Sequence, residues 1–168
     1  IITVAVFGLV NLKEAIFLWK SYNQDFWLLV ATFLSTLLLG IEYGIIIGVA
    51  LSLVILIFRT SRPYVTELGK VPNSNFYRNR ERFSEVSTDN EILVLRFDSQ
   101  LFYANASYFV ERLEDMVERK GAQLKLIVLD AESINRVDST GVAMLKERIK
   151  YYQNKNILFY FAGVKGPV

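Results

Sequence analysis

The chain is expected to fold as a membrane-embedded α-helical segment followed by a water-soluble α/β domain with a mixed sheet and covering helices, the whole truncated at both ends. Three observations predict this. Between Phe26 and Phe58 the only side chain charged near neutral pH is Glu42. The stretch Arg59-Thr60-Ser61-Arg62-Pro63 then ends the apolar run, because Pro63 lacks an N–H and pushes the residue before it out of helical geometry. From Ile92 onward, short apolar runs of strand length alternate with amphipathic stretches of helical spacing.

Read as one rod, Phe26 to Phe58 would reach ~50 Å at ~1.5 Å per residue, well beyond the ~30 Å hydrocarbon slab. It must fold back. Gly40-Ile41-Glu42 is the natural turn, since a carboxylate costs ~2.5–3.5 kcal/mol at a helix centre and far less at the bilayer surface. The first arm, 26–39, spans only ~21 Å, so it is expected to lean on helices that this chain does not contain. In the second arm, 40–58, Gly40, Gly44, Gly48 and Ser52 recur every fourth residue, and such a small-residue stripe marks a helix-packing face in lipid. Arg59, Arg62 and Lys70 follow the second arm, and the positive-inside rule puts both hairpin ends in the cytoplasm.

Upstream, Ile1 to Val10 is apolar but about half the length of a span, and reads as the last turns of a helix whose beginning is missing. Between Asn11 and Asp25, Leu12, Ile16 and Trp19 share a helical face. The segment fits a short interfacial helix with Trp19, Tyr22 and Trp27 as headgroup-level anchors, or a plain connector.

Downstream, 63–90 reads as a polar, basic linker and first strand region of the next domain, with one extended segment near Phe76 to Phe83, where Arg78, Arg80 and Arg82 alternate along a solvated strand edge or face lipid headgroups or an anionic partner surface. Ile92–Phe97 and Leu101-Phe102-Tyr103 read as paired strands around a turn at Asp98-Ser99-Gln100. Asn105 is placed as an N-cap, Phe109, Leu113, Met116 and Val117 as the buried face of a helix, and Gly121 as its stop. Leu124–Leu129 is a buried strand. Val142, Leu145, Ile149 and Tyr152 outline a second helix, and Ile157–Phe161 a further strand. This alternation predicts mostly parallel central strands with right-handed crossovers, and an incomplete cytoplasmic domain over 91–168.

Composition removes whole chemistries. With no Cys and no His there is no thiolate or imidazole metal site, no His-dependent nucleophile and no disulfide framework. Neither a phosphate-binding loop of the G-x-x-x-x-G-K-[ST] type nor a G-x-G-x-x-G fingerprint occurs, so no cofactor is expected. The 19 basic residues are interspersed with 17 acidic ones for a net charge of +2, which is no nucleic-acid footprint. Asp130 and Asp138 could form an acid–base pair, but no nucleophile or metal cluster lies near them in the sequence, and no enzyme is expected.

The candidate functional loop is Asp138-Ser139-Thr140-Gly141, between a strand and a helix. Free N–H groups and the positive end of the helix dipole meet there, so the loop suits a bound anion or a phosphate on Ser139 or Thr140. It equally suits a simple N-cap by Asp138 or Ser139.

The string Val-Leu-Asp-Ala at 128–131 with Val-Asp-Ser-Thr-Gly at 137–141 resembles the signature of STAS domains, shared by sulfate transporters and anti-sigma-factor antagonists. Phe7-Gly8-Leu9, Leu12-Lys13-Glu14-Ala15, Asp25-Phe26-Trp27 and Gly40-Ile41-Glu42-Tyr43-Gly44 resemble the last membrane helices of the sulfate permease (SulP/SLC26) family. The Arg59–Pro63 stretch resembles that family's junction into STAS, and Leu101 to Ala106 its first STAS helix entry. The resemblance implies the end of an inverted-repeat bundle joined to a cytoplasmic STAS domain. It further implies a multi-pass plasma-membrane secondary transporter of sulfate or a related anion, working by symport or exchange as a homodimer, with a possible STAS-binding protein partner. The substrate ligands would lie in helices absent from this chain. The serine phosphorylated in the related antagonists matches Ser139, which implies the rival reading of a STAS regulator tethered to the lipid bilayer.

Overall fold

The structure, a computed structural model, describes residues 12–21 and 23–166; the expected helix end at 1–10 and the anchor Tyr22 lie outside them. The chain divides into two compact units, Ile1–Phe58 and Arg59–Val168.

In the first unit, helix α1 (Leu12–Ser21) leads to α2 (Asn23–Leu39) and α3 (Ile41–Ser61). Trp19 of α1 meets Phe26 and Trp27 edge-on, with ring centroids 4.8 and 6.2 Å away, so an aromatic cluster fixes the α1–α2 corner. Gly40 makes the turn between α2 and α3 at φ 92°, a left-handed conformation that glycine adopts without penalty. The two helices run antiparallel: Gly44 faces Thr36, Gly48 faces Thr32, and Trp27, Leu28 and Ala31 share a cavity with Leu51, Val54 and Ile55. Thr32, Ser35 and Thr36 each donate their hydroxyl to the carbonyl four residues back, which satisfies those groups without water. Apolar side chains point outward all round the pair, up to 80% exposed at Leu38. By length and composition α3 is long enough to cross a membrane, with a mean hydropathy of 2.5; α2 is apolar but shorter, at 17 residues.

The second unit is a five-stranded sheet in the order β2-β1-β3-β4-β5, comprising β1 (Val65–Lys70), β2 (Tyr77–Asn79), β3 (Ile92–Phe97), β4 (Leu126–Asp130) and β5 (Leu158–Ala162). The β1 strand is antiparallel to both neighbours, while β3, β4 and β5 are parallel. Helix α4 (Ala106–Lys120) crosses from β3 to β4 and α5 (Ser139–Gln153) from β4 to β5. Both crossings move the same way along the sheet, so right-handed connections set both helices on one face. Strand alternation sends Leu93, Leu95, Phe97, Ile127, Leu129 and Phe159 to that face. Phe109, Leu113 and Met116 of α4 and Leu145 and Tyr152 of α5 close over them, with Phe97 and Phe109 packed edge to face at 5.3 Å. Gly121 ends α4 at φ 71°.

Four sequence expectations are corrected. Leu101-Phe102-Tyr103 does not pair with β3: Leu101 makes an isolated parallel bridge to Val137, and the residues after it turn into α4. The stretch 63–90 holds a strand besides the extended segment expected near Phe76 to Phe83: it supplies β1, whose Val65, Thr66 and Leu68 are buried. Val142 is exposed: the buried face of α5 centres on Gly141, Leu145 and Tyr152, the last two as expected, and at about 100° per residue Val142 lies at its edge. Gly40 leaves the small-residue stripe: it precedes α3 and a Cβ there would meet nothing within 4 Å.

Candidate functional site

Because β3 and β4 are parallel and in register, with Arg96 opposite Asp130, the loops that follow them leave the same end of the sheet side by side. Their main chains then bond directly. Leu101 N–H donates to the Arg136 carbonyl at 3.0 Å, and Asp138 N–H donates to the Leu101 carbonyl at 3.1 Å. This doublet forms the floor of the loop predicted to be functional.

Asp138 sits in extended geometry (φ −87°, ψ 177°) immediately before α5. One carboxylate oxygen, Oδ1, accepts from the Gly141 N–H at 2.7 Å, and the other, Oδ2, accepts from the Tyr103 N–H at 3.0 Å. Asp138 is therefore the N-cap, and it also fastens the neighbouring loop. The Gly141 N–H, helped by those of Tyr103 and Thr140 and by the charge of Arg136, holds its carboxyl below the usual carboxylate range against the opposing effect of burial. Gly141 is buried because the chains approach too closely for a side chain: a Cβ would lie 2.9 Å from the Leu101 carbonyl oxygen and 2.8 Å from Val137 Cγ1. Ser139 and Thr140, in the first turn of α5, are exposed.

The anion that the helix end attracts is thus already present as Asp138. Its carboxylate takes the N–H of Gly141 and neutralises the positive end of the dipole. A shallow cavity of about 220 Å³ opens beside it, lined by Gln100, Tyr103 and Arg136 among others.

Asn105 is a residue whose role the sequence did not disclose. It stands at the N-cap position of α4 but makes no capping bond. Its side chain, fully buried, turns back instead: Oδ1 accepts from the Phe102 N–H at 3.0 Å and Nδ2 donates to the Gln100 carbonyl at 2.9 Å. The amide closes the loop on itself and so presents the Tyr103 N–H to Asp138.

Asp130, the other carboxylate considered for acid–base chemistry, accepts from the Glu132 N–H at 3.1 Å and caps the end of its strand. Among the described residues no group of three or more metal-ligating side chains gathers. In the helical pair, Gly44 and Gly48 lie against α2, and Ser52 is exposed.

A family model described as STAS domain matches residues 84–168. Sulfate transporter 4.1, chloroplastic, of Arabidopsis thaliana is 35% identical over 166 residues, 94% of this chain and 24% of that protein. Sulfate transporter 3.1 of the same plant is 32% identical over 176 residues, the full chain and 27% of the relative. The chain thus spans about a quarter of the length of the curated relatives it matches. Among solved structures, the murine Solute Carrier 26 family member A9 anion transporter, in its inward-facing state, shares the fold at a TM-score of 0.84 and 22% identity, over 97% of this chain and 27% of that one. Both the helical pair and the sheet are covered by these matches, and the loop at Asp138 lies inside the STAS region. The chain belongs to the STAS-domain family, and within it to the sulfate permease (SulP/SLC26) proteins.

Proposed function

We propose that the chain is part of a secondary active anion transporter, with sulfate as the favoured substrate, moved by symport or exchange. One observation carries the reading: identity of 35% to a sulfate transporter runs across both the apolar helix pair and the STAS unit, not over the STAS unit alone. On this reading α2 and α3 sit in the bilayer as part of the scaffold or gate bundle, and the substrate site belongs to helices outside this chain. The STAS unit lies in the cytoplasm, supported by Arg59, Arg62 and Lys70 after α3, and regulates activity or assembly of a homodimeric, multi-pass plasma-membrane protein. No enzymatic step is assigned: Asp130 and Asp138 are bound to main-chain N–H groups, and the depressed pKa of Asp138 makes it a poor proton donor. The test is uptake of labelled sulfate and competing anions into proteoliposomes holding the whole protein, with fractionation to find its membrane. Sulfate uptake above protein-free vesicles is expected; no uptake of any anion would overturn the proposal.

A second reading, a membrane-tethered STAS regulator of the anti-sigma-factor-antagonist type, has one observation in its favour. Ser139 is exposed one residue after the Asp138 cap. A phosphate there would add about −1.5 to −2 of charge beside the carboxylate and loosen its hold on Tyr103 and Gly141. Ser139→Asp should then change the proteins captured by the whole protein; an identical capture profile removes this reading.

A further inference from the structure

The alternating arginines after β1 do not merely line a solvated edge. Arg80 pairs with Glu67 at 2.8 Å, but Arg78 and Arg82 have no carboxylate partner among the described residues. Each guanidinium instead lies against an aromatic ring: Arg78 at 4.9 Å from the centroid of Phe83, Arg82 at 5.8 Å from that of Tyr64. Stacking uses the face of a guanidinium and leaves its in-plane N–H donors available. Both arginines line one cavity of about 270 Å³ within the second unit.

The wall behind them is built by a chain of hydrogen bonds. Thr66, buried, donates to Asn79 Oδ1 at 3.0 Å, Asn79 Nδ2 donates to the Tyr64 hydroxyl at 2.7 Å, and that hydroxyl donates to Glu81 at 3.2 Å. The ring that carries Arg82 is thereby held in place. Three carboxylates lie nearby, each held by another group: Asp98 by Arg96 at 2.5 Å, Glu67 by Arg80 and Lys120, and Glu81 by the Tyr64 hydroxyl. The cavity therefore presents two oriented guanidinium groups that no carboxylate among the described residues pairs directly.

We propose that this cavity is a binding site for a phosphate group, gripped by Arg78 and Arg82, either free in solution or carried on a lipid headgroup. Two forked cations on one rim match the several oxygens and the charge of about −1.5 to −2 that a phosphoryl group carries near neutral pH, where a carboxylate would leave one fork unused.

The test uses the full chain in phosphatidylcholine nanodiscs and follows its thermal midpoint, which a ligand of the folded state raises. One arm titrates inorganic phosphate; the other replaces part of the lipid with a monophosphorylated phosphatidylinositol. A saturable rise is expected in at least one arm, and the arm that responds identifies the source. The double variant Arg78→Gln with Arg82→Gln should abolish the rise, whereas Lys125→Gln on the exposed surface should keep it. Should the glutamine pair fail to fold, Arg78→Lys with Arg82→Lys keeps the charge but loses the forks, and should weaken phosphate binding about tenfold. No rise in either arm with the wild type, or equal binding by the arginine variants, overturns the proposal.

Discussion

The main-chain N–H of Tyr103 donates to Asp138 Oδ2 at 3.0 Å, joining two loops 35 positions apart in sequence. One carboxylate thus holds α5 by its first turn and the entry to α4 by its approach. Since folding lowers the Asp138 pKa, the carboxylate stabilises the domain above its unfolded value of about 4, and that contribution is lost as pH falls through the lower folded value. Asp138→Asn should lower the thermal midpoint at neutral pH, and the gap from wild type should close as the medium is acidified below about pH 4. A gap independent of pH contradicts the role assigned to the charge.

Asn105 should be more sensitive to charge than to size. Asn105→Ala removes a fully buried amide and leaves the part-buried Phe102 N–H and Gln100 carbonyl without their partner, at a cost of about 1–3 kcal/mol. Asn105→Asp keeps the shape but sets a carboxylate against the Gln100 carbonyl, and is expected to cost more. Denaturant midpoints for the two variants give the order directly; an aspartate as stable as wild type would show that the amide donor contributes nothing.

Gly44 and Gly48 should differ in whether a second substitution can rescue them. A Cβ at Gly48 meets Thr32 side-chain atoms, Cγ2 at 2.9 Å, with Cβ at an ordinary 3.6 Å. A Cβ at Gly44 meets Thr36 Cα and Cβ at 2.8 Å, and its hydroxyl more closely still. Alanine at either position is expected to cost about 1–3 kcal/mol of helix-pair stability in detergent. Thr32→Ala should restore Gly48→Ala, and Thr36→Ala should not restore Gly44→Ala, because main chain cannot be trimmed. Larger side chains at both glycines, with uptake unimpaired, would speak against a packing role in the intact transporter.

Tyr152 is expected to resist ionisation. Burial, reinforced by the nearby charge of Glu114, pushes its hydroxyl up to about 12. Because the folded value lies above the unfolded one near 10, this contribution to stability is intact below about pH 10 and is lost as pH rises toward the folded value. The near-ultraviolet titration of wild type minus Tyr152→Phe should reveal one late-titrating tyrosine. A difference curve centred on the ordinary value would place that ring in water.

Much of this architecture could be read from residue order. Period-two runs such as Ile92–Phe97 and the helical spacing of Phe109, Leu113 and Met116 report local burial, and Gly121 reports a local conformation. What escaped was non-local. Leu101 looks like a hairpin partner of β3 until its bridge to Val137 is seen, and that bridge depends on β3 and β4 lying in parallel register. Val65–Lys70 mixes Glu67, Gly69 and Lys70 with its apolar residues, so the strand pattern is hidden; Glu67 is placed there by ion pairs with Arg80 and Lys120. At the loop, the residue types at 138–141 fit a cap and an anion site alike. Only the geometry shows one carboxylate taking both N–H groups.

Lys120 is nearly out of solvent, with its side chain 5% exposed and its ammonium shared between Glu67 at 2.6 Å and the Asp89 carbonyl at 2.5 Å. Lys70, Lys125, Lys146, Lys150, Lys155 and Lys165 in the same unit are open to water. An amine-reactive label should therefore modify those six rapidly and leave Lys120 untouched while the sheet is intact. Its delayed acylation makes this lysine a built-in clock for the opening of the domain, readable by mass spectrometry without any engineered reporter.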